Sequence, residues 1–157
     1  MLEVRGPKIR VPPAFFVGGF LVGLWLESLL RIHLVGGSGP VRAFTSIGWL
    51  ISLAGLALSL SGIATFQAAG TTMFPFAPAT RLVARGPYRF TRNPMYLGGV
   101  VSYVGVAMGM NVGWPLVLLP VVVWCVYYFV IREEEKYLSA TFGADYDEYR
   151  RRVRRWI

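Results

Sequence analysis

Four long apolar stretches constrain what this chain can fold into, because together they fill nearly half of its 157 residues. Hydrophobic residues make up 55% of the chain and charged residues only 15%, whereas soluble proteins average about 25% charged residues. A single water-soluble domain of this length cannot bury that much apolar surface. The sequence therefore predicts an all-α integral membrane protein. Its composition excludes a disordered chain, and the lone Cys125 excludes a disulfide-rich scaffold.

The lengths of the stretches fit transmembrane helices, which lie at residues 14–30, 47–66, 95–110 and 114–131. At 1.5 Å per residue, a helix over the last stretch covers about 27 Å of a bilayer core of about 30 Å. The first and third are slightly short, and flanking residues or local thinning of the bilayer can complete them. The first resembles a signal peptide, but no small-residue cleavage site follows it. We expect one membrane domain over residues 1–157, with four spans and a helical tail at 132–157.

Basic residues predict the orientation. With four spans, the N-terminal arm, the 67–94 loop and the C-terminal tail share one side, which then holds 14 of the 16 Lys and Arg residues. Only Arg31 and Arg42 lie opposite. The positive-inside rule therefore places both termini in the cytoplasm.

Two polar segments on that side have further predicted roles. The tail at 149–157 is typical of an interfacial segment attracted to anionic lipid headgroups rather than to nucleic acid. The aromatic 67–93 loop is expected to form an ordered cap.

A hairpin brings two distant polar segments together. The third and fourth stretches are joined by a short turn at residues 111–113, and Pro94 and Ile131 lie eighteen residues before and nineteen after Val112. Antiparallel helices of equal length place those two positions level. Residues 89–96 and 132–135 should therefore be neighbours, forming a polar site with both signs of charge at the membrane edge.

The residue types of this site suit S-adenosylmethionine. A carboxylate can accept ribose hydroxyls, an arginine can hold a carboxylate, and a tyrosine ring attracts a cation such as a sulfonium. The arginines suit a nucleotide phosphate as well. His33 and Cys125 are the only residues of their types, so we expect neither a metal site nor a nucleophile triad. No Gly-rich nucleotide-binding turn is visible.

Two ordered motifs resemble the isoprenylcysteine carboxyl methyltransferase and phospholipid methyltransferase family. The first is Gly86-Pro87-Tyr88-x-x-x-Arg92-Asn93-Pro94-x-Tyr96-x-Gly98. The second is Glu134-Glu135-x-x-Leu138, followed by Phe142-Gly143-x-x-Tyr146-x-x-Tyr149 and by Val153-Arg154-Arg155-Trp156-Ile157. The resemblance covers residues 81–157. The first two spans match the family only in number and length.

The resemblance implies a membrane enzyme that takes S-adenosylmethionine from the cytoplasm and a lipophilic acceptor from the bilayer. It implies a cytoplasmic cofactor pocket at the ends of helices 3 and 4 and the tail, lined by ten residues: Tyr88, Arg92, Asn93, Pro94, Tyr96, Gly98, Glu134, Glu135, Tyr146 and Tyr149. Arg92, Glu134 and Glu135 are the candidate catalytic residues. Many members carry His where this chain has Asn93, which argues against an imidazole base and against assigning carboxyl methylation specifically.

The acceptor chemistry decides which side chains act. An amine acceptor must lose a proton, which Glu134 or Glu135 can take. A carboxylate acceptor needs no base, but an arginine would hold it, and Arg85, Arg89 and Arg92 are the candidates.

The sequence leaves other interpretations of the chain and of single residues open. Sterol reductases resemble the family in their C-terminal half, so an NADPH-dependent membrane reductase is an alternative, and a non-catalytic membrane protein is another. Asn93 and Pro94 also suit the start of a helix, and residues 133–135 suit a solvated face that pairs with Lys136. We expect Glu27 to pair with Arg31 one turn on, and Gly105 and Gly109 to allow close helix packing.

Overall fold

The computed structural model describes residues 12–36, 38–70 and 81–157, and all regular secondary structure within these ranges is helical. This confirms the predicted all-α class. A 3-10 turn occupies Gly86–Arg89 and a π-helical turn occupies Tyr127–Ile131. The six α-helices are α1 (Pro12–Leu29), α2 (Ser38–Ala68), α3 (Pro94–Gly109), α4 (Trp114–Val126), α5 (Arg132–Phe142) and α6 (Ala144–Arg152).

Three helices in the described ranges are long and apolar enough to cross a membrane: Pro12–Leu29, Pro40–Ala68 and the continuous helix Trp114–Phe142. The helix α3 is apolar but has only 16 residues, or about 24 Å. The fourth span therefore stays a prediction. The helix α2 begins nine residues before the predicted stretch at 47–66, because hydropathy marks the apolar part of a helix and not its polar ends.

Small residues bring α2 and α3 into close contact. Glycines recur every seven residues along the shared face, at Gly48, Gly55 and Gly62 of α2 and at Gly98 and Gly105 of α3. A Cβ atom added at Gly55 would collide with the backbone of Gly98 and Ser102. Gly105 lies equally close to the α2 backbone, and Gly109 lies against Trp49. The predicted packing role of these last two glycines is therefore confirmed. Small residues let helix backbones approach without a strong hydrophobic driving force in lipid.

This contact predicts that Gly55→Ala destabilises the protein. The new methyl group meets backbone atoms, which cannot rotate away, so we expect a loss of about 1–3 kcal/mol. Gly18→Ala on α1 is the matched control, because nothing lies within 4 Å of a Cβ atom there. Thermal unfolding in one detergent measures both variants. Equal unfolding midpoints would show that α2 and α3 do not depend on this contact.

Glu27 holds the end of the bundle at which α3 turns into α4. Its carboxylate accepts hydrogen bonds from the backbone N–H groups of Gly113 (3.0 Å) and Trp114 (3.1 Å), and another from Ile32. The predicted pairing of Glu27 with Arg31 is therefore wrong. The first N–H groups of α4 have no partner within their own helix, and they bind the carboxylate instead. A carboxylate is favoured at that position by the helix dipole.

The opposite end, which we call the tail end, gathers the start of α1, the end of α2, the start of α3 and the C-terminal segment. The rings of Phe15 and Phe129 stack there at 6.0 Å, and those of Phe66 and Tyr88 meet edge to face at 5.1 Å. The three segments predicted to share one side do so as far as they are described. Arg5, Lys8 and Arg10, and Phe74, Pro75, Phe76 and Pro78 of the expected cap, lie outside the described residues.

Candidate functional site

The start of α3 fixes one wall of the site. Asn93 occupies the N-cap position and Pro94 follows it as the first helical residue, as predicted. The Asn93 side chain does not cap the helix, however. Its Nδ2 donates to the carbonyl oxygen of Arg155 at 3.0 Å, while the Thr91 hydroxyl oxygen accepts the Asn93 backbone N–H at 3.2 Å. The first turn of α3 is thus joined to the C-terminal segment.

The C-terminal segment at 153–157 folds back across the start of α3. The Arg92 N–H donates to the Arg154 carbonyl at 3.0 Å, and the Thr91 hydroxyl donates to the Arg155 carbonyl at 3.0 Å. Trp156 packs against the buried cluster that contains Tyr96, Val126, Val130 and Ile131. The sequence predicts an interfacial segment here, which stays a prediction, and the structure adds that the backbone of this segment covers the start of α3. Neither Thr91 nor Arg155 is among the predicted site residues. Arg155 belongs to the closing motif at 153–157, but the motif assigned it no role, and no motif position includes Thr91.

Two consecutive carboxylates of α5 contact different residues at the start of α3 and in the segment just before it. Glu134 Oε1 accepts a hydrogen bond from the Tyr96 hydroxyl at 2.6 Å, and Glu135 Oε1 lies 3.1 Å from Arg92 Nη1. Neighbouring residues point about 100° apart around a helix, so each finds a different partner. These contacts confirm that residues 89–96 and 132–135 are neighbours. Of residues 133–135, only Glu133 lies on a solvated face as the alternative interpretation predicted, and it pairs there with Lys136 at 2.7 Å.

Glu135 is the centre of an ion-pair network. Arg155 contacts both of its oxygens, through Nε at 2.9 Å and Nη2 at 2.8 Å, in addition to the contact with Arg92. The side chains of Arg92 and Glu135 are only 10% and 14% exposed. Hydrogen bonding to Glu135 raises the pKa of Arg155. Two guanidinium groups therefore surround one carboxylate and engage both of its oxygens.

Three buried tyrosines close the cluster. The Tyr149 hydroxyl donates to the Tyr88 carbonyl at 2.8 Å, and the Tyr146 hydroxyl lies 3.4 Å from Arg92 Nη1. Burial raises the pKa of all three phenols, and the Glu134 carboxylate raises that of Tyr88 further. All three therefore remain protonated donors at neutral pH.

Two buried donors of this cluster have no partner among the described residues: the Tyr88 hydroxyl and the Arg92 Nε. Because buried polar groups are nearly always hydrogen-bonded, these two atoms mark where a polar ligand fits best. The second oxygen of Glu134 likewise accepts no hydrogen bond from a described residue.

Eight of the ten predicted cofactor residues belong to this cluster: Tyr88, Arg92, Asn93, Tyr96, Glu134, Glu135, Tyr146 and Tyr149. The other two face α2, where Pro94 lies near Gly62, and Gly98 contacts Gly55 and Ser59. Helix packing accounts for the glycine at position 98. Of the three arginines considered for an acceptor carboxylate, Arg92 is in the cluster, while Arg85 and Arg89 are exposed on its rim. No group of residues suited to a metal ion occurs in the described ranges.

The long apolar helices define a multi-pass integral membrane protein. The sequence model described as phospholipid methyltransferase matches residues 44–145, and the chain belongs to this family.

The chain is also similar to protein-S-isoprenylcysteine O-methyltransferases. It is 38% identical to the Saccharomyces cerevisiae protein over 72 residues, which are 46% of this chain and 30% of that protein. It is 33% identical to the Schizosaccharomyces pombe protein over 72 residues, with the same coverage of 46% and 30%. It is 36% identical to the B protein of Arabidopsis thaliana over 73 residues, or 46% of this chain and 37% of that one. The match thus spans about a third of the relatives' length.

Proposed function

We propose that the chain transfers a methyl group from S-adenosylmethionine to a lipid or lipophilic acceptor at the cytoplasmic membrane face. The observation that carries this proposal is the hydrogen bond from Tyr96 to Glu134 at 2.6 Å, in a cluster with buried donors that have no partner among the described residues. Membership of the phospholipid methyltransferase family supports a methyl donor as the ligand. The relatives named isoprenylcysteine O-methyltransferases support a lipid-linked acceptor.

The cluster has the donors and acceptors that S-adenosylmethionine requires. One Glu134 carboxylate oxygen accepts no bond from a described residue and can take a ribose hydroxyl, and the Tyr88 hydroxyl and Arg92 Nε can donate to the carboxylate of the methionine moiety. Tyrosine rings favour a sulfonium by cation–π attraction. When bound, S-adenosylmethionine supplies an electrophilic methyl group.

The protein's own task is alignment and the exclusion of water. An in-line displacement gains most of its rate from the positioning of the two reactants and from a dry site. Buried tyrosines and the folded-back segment 153–157 provide both. For an amine acceptor, Glu134 is the better candidate base, because two arginines already neutralise Glu135. For a carboxylate acceptor, the exposed Arg85 and Arg89 at the rim are available as holding groups.

We propose that the tail end faces the cytoplasm. Eleven of the thirteen Lys and Arg residues in the described ranges lie at the tail end, while Arg31 and Arg42 lie at the other. Such an asymmetry supports a cytoplasmic tail end under the positive-inside rule. The same charge supports contact with anionic lipid headgroups.

Transfer of a labelled methyl group tests the proposed reaction. The protein in vesicles is given methyl-labelled S-adenosylmethionine with either phosphatidylethanolamine or a farnesylated cysteine analogue. We expect label in the lipid extract with one of the two acceptors. Label released by mild base identifies an ester, and base-stable label identifies a methylated amine. Lack of label in both extracts, from protein that binds the methyl donor, would contradict methyl transfer to these lipid acceptors.

A further inference from the structure

A basic cleft of about 510 Å³ lies beside the methyl-donor cluster, along α5 and α6. Four cationic side chains line it: Arg132, Lys136, Arg150 and Arg155. Glu135 is its one acidic lining residue. Of the ten residues assigned to the cofactor, the cleft includes only Glu135, and it shares Arg155 with the ion-pair network, so the cleft adjoins the site and its other lining residues lie outside it.

The positive charge of the cleft is largely uncompensated. Arg92 and Arg155 already neutralise Glu135, and Lys136 pairs with Glu133. Arg132 lies over the ring of Tyr128, at 4.9 Å from its centroid, and makes no ion pair with a described residue. Arg150 is exposed and likewise forms no ion pair within the described ranges. Two arginines of one cleft therefore keep a full positive charge available for an anion.

The cleft starts where the apolar part of the helix stops. Residues 114–131 contain no charged side chain, and Arg132 is the first charged residue after them. Tyr127 lines the apolar side of the cleft, and Ser139 and Ala140 line its outer side, about two turns beyond Arg132. In a membrane this depth corresponds to the layer of lipid headgroups, which flanks a hydrocarbon core of about 30 Å.

We propose that this cleft binds the phosphate group of an anionic phospholipid headgroup. A guanidinium group binds phosphate through paired N–H donors, and no described residue accepts a hydrogen bond from the guanidinium donors of Arg132 or Arg150. The Ser139 hydroxyl adds a neutral donor in the same cleft. Binding of this kind is local, whereas attraction by the whole basic surface would involve every exposed arginine of α6 and the segment after it. The inference does not depend on the proposed methyl transfer.

The site is tested by removing two positive charges inside the cleft and, as a control, two positive charges outside it. The full chain in a non-ionic detergent is titrated with short-chain phosphatidylglycerol, with phosphatidylcholine of equal chain length and with free glycerol phosphate, and bound ligand is counted by native mass spectrometry. The cleft variant is Arg132→Gln with Arg150→Gln. The control is Arg151→Gln with Arg154→Gln, which removes two exposed charges outside the cleft. Arg150→Gln alone, at an exposed side chain, serves if the double variant fails to fold.

We expect saturable binding of phosphatidylglycerol, weakened about tenfold or more by the cleft variant and less than about twofold by the control. Tighter binding of this lipid than of glycerol phosphate supports the membrane as the source of the phosphate. Equal binding of the two would overturn the lipid assignment and favour a soluble phosphate. Equal losses in both double variants, or equal binding of phosphatidylcholine, would overturn the site itself.

Discussion

Glu134→Ala is expected to weaken the binding of S-adenosylmethionine by about tenfold to a hundredfold while leaving the protein folded. The substitution removes the carboxylate that Tyr96 orients at 2.6 Å and whose second oxygen, which accepts no bond from a described residue, can take a ribose hydroxyl. Hydrogen bonds to a charged group contribute about 1.5–3 kcal/mol each, so the loss of the bond to the ribose accounts for that factor. Calorimetric titration of the purified variant measures it.

The neighbouring carboxylate provides the control for this experiment. Glu133→Ala makes the same chemical change one residue earlier on α5, at an exposed side chain that pairs with Lys136. It should bind the methyl donor with unchanged affinity. Tyr96→Phe removes only the hydroxyl that orients Glu134. The affinity of this variant for the methyl donor should therefore lie between those of the Glu133 and Glu134 variants. Equal affinities for the Glu133 and Glu134 variants would remove Glu134 from the proposed pocket.

Glu135→Ala should destabilise the protein more than any other single exchange of a carboxylate on α5 or α6. It leaves Arg92, with a side chain only 10% exposed, without its anion, and it releases the bidentate contact of Arg155. Breaking a buried ion pair from one side costs about 3–5 kcal/mol. The midpoint of thermal unfolding should fall by about 5 °C or more.

Glu148→Ala is the matched control, because Glu148 pairs with Arg152 on the surface and both side chains are more than 60% exposed. Exposed pairs of this kind contribute about 0–1 kcal/mol. If the two variants unfold at the same temperature, the network around Glu135 does not hold the C-terminal segment against α3. In that case the double variant Glu135→Ala with Arg155→Ala would show no coupling energy between positions 135 and 155.

Part of the site could be predicted from sequence because a hairpin joins its two segments. The tight turn at 111–113 and two helices of similar length are enough to bring Tyr96 to Glu134 across 38 residues. The length of the apolar stretches also indicated the helices, because such stretches have few alternatives in a membrane.

Other contacts depend on the backbone, which leaves no pattern in a sequence. The Arg155 carbonyl accepts two of the bonds that close the site, and any residue type supplies a carbonyl. The partner of Glu27 is likewise the N-terminus of α4, 86 residues away, rather than the arginine one turn on. The glycines of α2 and α3 recur every seven residues in the sequence. That spacing indicates a close helix contact only when the two helices are known to face each other.

The most direct test of the central claim is calorimetric titration of the detergent-purified protein with S-adenosylmethionine and with S-adenosylhomocysteine, with NADPH as the comparison ligand. The cluster of Tyr88, Arg92, Tyr96 and Glu134 predicts saturable one-to-one binding of the first two and none of NADPH. Binding of NADPH alone would contradict the methyl-donor site and assign the tail end to a reductase. Folded protein that binds none of the three would contradict a cofactor-dependent enzyme altogether.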